Sequence, residues 1–240
     1  MARIVITVIE NHPNCPLDLL EEPLRQCHLE IVRPYYGDAI PAASDVGDGM
    51  IVLGGYQNAQ ADDDCPWLPR LRALMAACVD EAIPLLGICL GAQLLALACG
   101  GRLDRDAKAG LEAGVAAVQW SASAASDPLF RRIAASCDPL LAPTMHFDAI
   151  SELPPGATLL GSSVLYQNQA FRVGDRAWGV QFHPEASYGA FRAWATDAAM
   201  QESISPSRFL EQYLEREPQI EATARMVGSS FRSVVLAASA

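Results

Sequence analysis

The first hundred residues alternate between short apolar runs and segments with helical spacing, and this alternation constrains the fold more than any other feature of the chain. Apolar runs of strand length predict buried strands, whereas apolar positions spaced by three or four residues predict helices. An alternating order of strands and helices favours a mostly parallel sheet with helices on both faces. The predicted strands cover residues 2–10, 28–35, 49–55 and 83–89, and the predicted helices cover 16–27, 67–82 and 90–101.

The second half of the chain changes character, because strand-like runs follow one another with turns between them. These runs cover residues 115–120, 140–147, 157–163, 169–173 and 176–183, and the tail from Tyr188 has helical spacing. Closely spaced strands joined by turns predict antiparallel hairpins. We therefore predict one α/β domain over 1–240, with an open, mostly parallel, flavodoxin-like sheet and an antiparallel extension. Its core would cover 1–190, and a helical C-terminal extension would cover 191–240.

The charge balance excludes some classes of partner. The chain carries 28 acidic and 17 basic residues, for a formal net charge of −11. Nucleic acids and anionic membranes bind basic surfaces, so we expect neither as a partner. No apolar stretch has the length of a membrane span, and the N-terminus lacks the basic region and cleavage site of a signal peptide. We therefore expect a cytoplasmic protein.

The seven cysteines are scattered and include no Cys-x-x-Cys pair, so we expect no metal site. One of them, Cys89, stands where a predicted strand passes directly into a helix, between Gly87 and Gly91. Flanking glycines allow the sharp turn that presents a nucleophile at the end of a strand. The helix N-terminus would favour a thiolate and offer free N–H groups to an oxyanion. A buried core cysteine between packing glycines would give the same local pattern.

A second motif favours catalysis over packing. His183 ends a predicted strand, and Glu185 follows two residues later. Residues i and i+2 of an extended chain point the same way, so the carboxylate can orient the imidazole. Taken singly, His183 fits an exposed strand end and Glu185 fits a helix start after Pro184. Together with the strand–cysteine–helix turn, they match a nucleophile, a base and an orienting acid.

The segments GICLGAQ and GVQFHPE resemble, in order and spacing, the two motifs of the class I (triad-type) glutamine amidotransferases. The resemblance covers about residues 40–195 and is closest to a stand-alone branch similar to the amidotransferase domain of GMP synthetase. IVLGG resembles the glycine-bearing loop of this family, and MHFD resembles the segment that holds the amino-acid end of the substrate. The resemblance implies the class I amidotransferase fold, with residues 1–190 as the catalytic core and no cofactor.

The resemblance also implies a role for each matching residue. Cys89 would form a γ-glutamyl thioester, His183 would transfer protons, and Glu185 would orient His183. The backbone N–H groups of Gly55 and Leu90 would form the oxyanion hole. The substrate-binding residues would be Gln93, Met145 and His146. Tyr56, where the sequence departs from the family pattern, would also bind the substrate.

Two departures from the family pattern lie beside the expected pocket and leave open a γ-glutamyl substrate larger than glutamine. Tyr56 stands where proline often follows the double glycine, and Phe147 stands where a small residue is common. The sequence also contains no ATP-binding loop, so a separate synthase subunit would have to activate any ammonia acceptor.

Three functions remain open. The favoured one is a glutaminase or amidotransferase subunit, which would release ammonia from the side-chain amide of glutamine. The second is a γ-glutamyl peptidase that cleaves a larger γ-glutamyl amide. The third is a non-catalytic regulatory domain, which the intact set of cysteine, histidine and glutamate disfavours.

Overall fold

The computed structural model describes residues 3–197 and 205–239. Within these residues the chain forms eleven strands and six α-helices, joined by turns and short 3-10 segments. The strands are β1 (Val5–Ile9), β2 (His28–Val32), β3 (Gly49–Val52), β4 (Leu85–Ile88), β5 (Arg102–Asp104), β6 (Glu112–Trp120), β7 (Leu140–His146), β8 (Ala149–Glu152), β9 (Thr158–Ser162), β10 (Ala170–Val173) and β11 (Ala177–Val180). The helices are α1 (Glu21–Leu24), α2 (Leu68–Asp80), α3 (Leu90–Ala98), α4 (Arg131–Ser136), α5 (Tyr188–Ala195) and α6 (Pro206–Ala238).

Nine of these strands form one sheet in the order β2-β1-β3-β4-β11-β10-β9-β6-β7. The first five strands in this order are parallel to one another. From β11 onward each neighbouring pair is antiparallel, and β5 and β8 form a separate antiparallel pair. The predicted α/β class, with a parallel sheet flanked by helices and an antiparallel extension, is confirmed.

Strand β3 shows how the two faces of the sheet are covered. Met50 and Val52 pack in a cluster with residues of α2 and α3, whereas Ile51 and Leu53 pack in a cluster with residues of α1 and α6. Successive side chains of a strand point to opposite faces, so a strand covered on both sides reads as a continuous apolar run. This is why the parallel strands could be predicted from short apolar runs.

The long helix α6 packs across the sheet. Val227, Phe231 and Val235 are fully buried in the same cluster as Ile6 of β1. Contact with β3 is close, since a Cβ atom added to Gly49 would lie 2.7 Å from Val235 Cγ2. The helical tail is thus observed over residues 206–238, and its division from a core at residue 190 stays a prediction.

Some element boundaries differ from the sequence predictions for physical reasons. The predicted strand 28–35 ends at Val32, because Pro34 has no N–H to donate to a ladder and begins a 3-10 turn instead. The helix predicted over 16–27 is reduced to a 3-10 turn and the four-residue α1 before the chain turns into β2. The predicted strand 176–183 ends at Val180, which leaves His183 beyond the ladder.

Short elements were missed altogether. Strands β5 and β8 and helix α4 have three to six residues, which is too few for a periodic apolar pattern. Residues 198–201 of the tail predicted to be helical lie outside the described residues. Over the ranges 3–197 and 205–239, no helix has the length and apolar character of a membrane span.

Candidate active site

Cys89 lies at a sharp turn between β4 and α3, with backbone angles φ of 50° and ψ of −106°. A positive φ is strained for a residue with a side chain, and such strain persists only where surrounding packing enforces it. The packing here depends on glycine. A Cβ atom on Gly91 would lie 2.1 Å from the carbonyl oxygen of Val52, and one on Gly87 would lie 2.5 Å from that of Gly91.

His183 reaches the same edge of the sheet because β11 runs parallel to β4. Val180 is paired with Ile88, and the Cys89 N–H donates to the Val180 carbonyl at 2.8 Å. Gly54 lies between the two side chains. A Cβ atom there would be 3.1 Å from His183 Cε1 and 3.8 Å from Cys89 Cβ. The imidazole and the thiol are hydrogen-bond partners, so they face one another at the carboxyl edge of the strands.

Glu185 lies behind His183. Its Oε1 atom is 2.7 Å from His183 Nδ1, and both residues are at most 3% exposed. On its other side, Trp194 of α5 packs against the imidazole with a centroid separation of 4.6 Å. The backbone of the segment is also held, since the His183 N–H donates to the Pro143 carbonyl at 2.8 Å. The imidazole thus has a fixed orientation, with Nδ1 turned toward the carboxylate.

The charge of His183 follows from its neighbours. Burial alone lowers the pKa of His183, but the carboxylate of Glu185 and the sulfur of Cys89 outweigh burial and raise the pKa from 6.5 to about 10. At neutral pH the imidazole therefore holds its proton. A protonated imidazole next to a thiol favours the thiolate, which is the nucleophilic form of cysteine.

Replacing Glu185 with glutamine should change how stability depends on pH. The pKa of His183 is higher in the folded chain than the unfolded value of 6.5, so its contribution to the free energy of unfolding is complete below pH 6.5 and is lost as the pH rises to about 10. Glu185→Gln removes a charge that raises this pKa. We expect its unfolding free energy, measured with urea, to fall less steeply over this range than that of the unmodified chain.

The control is Glu215→Gln, which makes the same charge change on an exposed part of α6 and should keep the original slope. If the unfolding free energies of Glu185→Gln and of the unmodified chain changed with pH at the same slope, Glu185 would not set the charge of His183.

The residues predicted for the oxyanion hole are adjacent. Leu90 is the first residue of α3, so its N–H has no acceptor within the helix. Gly55 lies beside it, since a Cβ atom on Gly55 would be 2.8 Å from Leu90 Cδ2. Asn11, which the sequence analysis did not single out, braces this loop: its side-chain Nδ2 donates to the Leu53 carbonyl at 2.9 Å, and its own carbonyl accepts from Gln57 at 3.2 Å.

A cavity of about 460 Å³ opens beside the thiol. Eight of the nine residues predicted for the triad, the oxyanion hole and substrate contacts line it, and the ninth, Glu185, stands behind His183. These eight are Gly55, Tyr56, Cys89, Leu90, Gln93, Met145, His146 and His183. The wall also includes Phe147 and Asp148 of the segment MHFD, and residues that were not predicted to contact substrate: Cys15, Gln57, Asn58, Arg105, Asp106, Trp194 and Asp197. In the described part of the chain, no group of three or more His, Cys, Asp or Glu side chains could hold a metal ion.

Gln181 is a further residue that the sequence analysis missed. It is 1% exposed and lies next to the nucleophile, with its Nε2 atom 3.6 Å from Cys89 Sγ. Its Oε1 atom accepts from Gln93 Nε2 at 3.3 Å. The only sequence signal was its place within GVQFHPE, in the strand end that carries His183.

A family model for glutamine amidotransferase class-I matches residues 21–198, which is well over half of the chain. This chain belongs to the class I glutamine amidotransferase family. Within the family, the glutamine amidotransferase of Thermotoga maritima has a similar structure, with a TM-score of 0.82 and 26% identity, over 95% of this chain and 97% of that one. A glutamine amido transferase from Methylobacillus flagellatus, at 24% identity and a TM-score of 0.83, has the same fold over 97% of this chain and 95% of that one.

Two curated proteins with different names are similar to this class I amidotransferase chain over part of their length. The γ-glutamyl peptidase 5 of Arabidopsis thaliana is 33% identical over 143 residues, which are 59% of this chain and 55% of the relative. The GMP synthase of Thermomicrobium roseum is 29% identical over 202 residues, which are 78% of this chain and 36% of the relative. The chain thus spans about half of the first relative and about a third of the second.

Proposed function

We propose that this chain hydrolyses the side-chain amide of glutamine, or of a related γ-glutamyl compound, through a thioester on Cys89. The observation that carries the proposal is the convergence of Cys89, His183 and Glu185 at one cavity. Membership of the class I glutamine amidotransferase family supports the choice of the reacting group, which is an amide of the γ-carboxyl group of glutamate.

In the first half of the proposed reaction, the Cys89 thiolate attacks the γ-carbonyl carbon and a carbon–sulfur bond forms. The negative charge moves to the carbonyl oxygen, where the N–H groups of Gly55 and Leu90 would stabilise it. His183 then gives its proton to the departing nitrogen, and the carbon–nitrogen bond breaks. The products of this half are ammonia, or a larger amine, and the γ-glutamyl thioester.

In the second half, water attacks the thioester and His183 accepts the proton of that water. Glutamate leaves, and the Cys89 thiolate and the protonated His183 are restored. Glu185 keeps Nδ1 of the imidazole occupied throughout, so that Nε2 faces the reacting atoms. The residues Gln93, Met145 and His146 would bind the amino-acid end of the substrate, since they line the same cavity.

A larger γ-glutamyl amide is the second candidate substrate, and two aromatic residues on the cavity wall favour it. Tyr56 is half exposed and stacks on His12 with a centroid separation of 4.1 Å, and Phe147 lines the same cavity. Both could contact an amine bulkier than ammonia. The similarity to γ-glutamyl peptidase 5 supports this alternative. The similarity to GMP synthase instead supports a subunit that supplies ammonia to a separate synthase partner.

A panel of substrates tests the proposal and separates its two branches. Purified chain is incubated with glutamine and with γ-glutamyl amides of increasing leaving-group size, and glutamate release is followed. We expect hydrolysis of at least one member of the panel. Hydrolysis of none of them, with the protein folded, would contradict the proposed chemistry and favour a non-catalytic role.

A paired substitution tests whether the two aromatic residues reshape the site. In Tyr56→Pro combined with Phe147→Gly, we expect glutamine turnover to rise about tenfold if these side chains hold a place for a larger amine, because glutamine would then align its carbonyl better. Turnover that stays low in this variant would indicate that a synthase partner is needed to order the site. Fast hydrolysis of glutamine by the unmodified chain alone would contradict both explanations, a site shaped for a larger amine and a missing synthase partner, and would indicate a simple glutaminase.

A further inference from the structure

Glu112 is a buried acid that lies behind the cavity and takes no part in the proposed chemistry. It is the first residue of β6 and is 8% exposed. Its carboxylate has three side-chain partners, namely Ser163 Oγ at 2.5 Å, Gln169 Nε2 at 2.6 Å and His146 Nε2 at 3.0 Å. A buried carboxylate with three side-chain partners has a fixed orientation, because each hydrogen bond restricts its rotation.

His146 faces an acceptor at each of its ring nitrogens. Nε2 faces the Glu112 carboxylate, and Nδ1 is 2.9 Å from the carbonyl oxygen of Asp148. His146 is 4% exposed. Its ring is therefore held on both sides, by the side chain of Glu112 and by the backbone of Asp148.

The carbonyl oxygen of Asp148 also connects His146 to the residues next to the nucleophile. Asp148 O also accepts from Gln93 Nε2 at 3.1 Å, and Gln93 Nε2 lies 3.3 Å from Gln181 Oε1. Gln181 in turn reaches the sulfur of Cys89 at 3.6 Å. Polar contacts therefore run without interruption from Glu112 to the sulfur, along the wall where Gln93 and His146 line the cavity.

We propose that Glu112 is a positioning residue of this active site. It fixes the ring of His146, which in turn holds the Asp148 carbonyl and through it Gln93 on the substrate-binding wall. The kinetic part of this inference rests on the proposed function. Because the triad itself is carried by β4 and the segment after β11, loss of Glu112 should impair substrate binding more than the chemical step.

The kinetic test is Glu112→Gln, which keeps the size of the side chain and removes its charge. We expect KM for the best substrate of the panel to rise about tenfold while kcat falls by less than about threefold. The matched control is Asp127→Asn. Asp127 is a carboxylate of similar burial that binds Arg172 and Trp178 away from the cavity, so its loss should lower stability and leave KM unchanged.

Two further measurements separate positioning from a merely structural role. Nitrogen NMR of the histidine rings should show a hydrogen bond at Nε2 of His146 in the unmodified chain and a shifted resonance of that nitrogen in Glu112→Gln. The double variant Glu112→Gln with His146→Gln should bind substrate no more weakly than His146→Gln alone, because Glu112 acts through His146.

The inference would be overturned by a His146 Nε2 resonance that is the same in Glu112→Gln as in the unmodified chain, or by an unchanged KM in Glu112→Gln. It would also be overturned if the two substitutions had additive effects on KM. An unmodified chain that hydrolyses nothing would instead contradict the proposed function, and the NMR measurement would still decide whether Glu112 holds His146.

Discussion

Cys89→Ser is expected to lower hydrolysis of the best γ-glutamyl substrate by about 10⁴-fold or more, because removal of a nucleophile leaves only binding and oxyanion stabilisation. A serine hydroxyl does not form the anion that a thiol forms next to a protonated imidazole. The measurement is steady-state glutamate release. Cys137→Ser is the control, since Cys137 follows α4 and does not line the cavity, and this variant should keep its activity.

Labelling provides a second readout of the same prediction. An alkylating glutamine analogue should modify Cys89 alone in the unmodified chain and no residue in Cys89→Ser. Cys15 is the informative comparison, because it lines the same cavity, but burial raises the pKa of its thiol. If Cys15, Cys65 or Cys137 were labelled while Cys89 stayed unmodified, Cys89 would not be the nucleophile.

Gly91→Ala should cost both activity and stability. The added methyl group would lie 2.1 Å from the carbonyl oxygen of Val52, and neither backbone segment can yield easily. We expect the free energy of unfolding to fall by about 1–3 kcal/mol, as in other overpacked cores. Because the clash displaces the turn that carries Cys89, we also expect kcat/KM to fall about 100-fold, since small misplacements of reacting groups are costly.

The control for this variant is Gly189→Ala. Gly189 is an exposed residue near the start of α5, where an added Cβ atom would meet only Ser187 Oγ at an ordinary 3.5 Å. Alanine is the better helix former, so this control should be neutral or slightly stabilising. If Gly91→Ala were equally well tolerated in urea unfolding and kinetics, the close approach of α3 to β3 would not be needed for the site.

The parallel half of the sheet could be predicted because burial on both faces leaves a simple trace in the sequence. All four residues of β3 and all four of β4 are buried, so each strand reads as an apolar run between turn residues. Where an element is short or ends at a proline, this apolar pattern is weaker. For this reason β5, β8 and α4 were missed and the end of β2 was misplaced.

In the site, likewise, residues in local motifs could be predicted, and residues that act through long-range contacts could not. Cys89, His183 and Glu185 lie in short motifs, and the reasons for their spacing are local. Residues that act through tertiary contacts leave no such signal. Gln181 lies 92 residues from the cysteine that it contacts, and Glu112 lies 34 residues from His146. The parallel pairing of β4 with β11 brings Gln181 close to Cys89, and the antiparallel pairing of β6 with β7 brings Glu112 close to His146.

The packing of α6 against β1 has a consequence for how the chain acquires its structure during synthesis. The apolar face that Ile6 shares with Val227, Phe231 and Val235 stays uncovered until the residues of α6 have left the ribosome. A hydrogen bond between Arg232 and Gln26 likewise closes a loop of 206 residues. Contacts over such long separations form slowly, and the exposed sheet is open to aggregation in the meantime. Chaperone dependence in the cell should therefore increase when α6 is weakened, even where the finished site is unchanged.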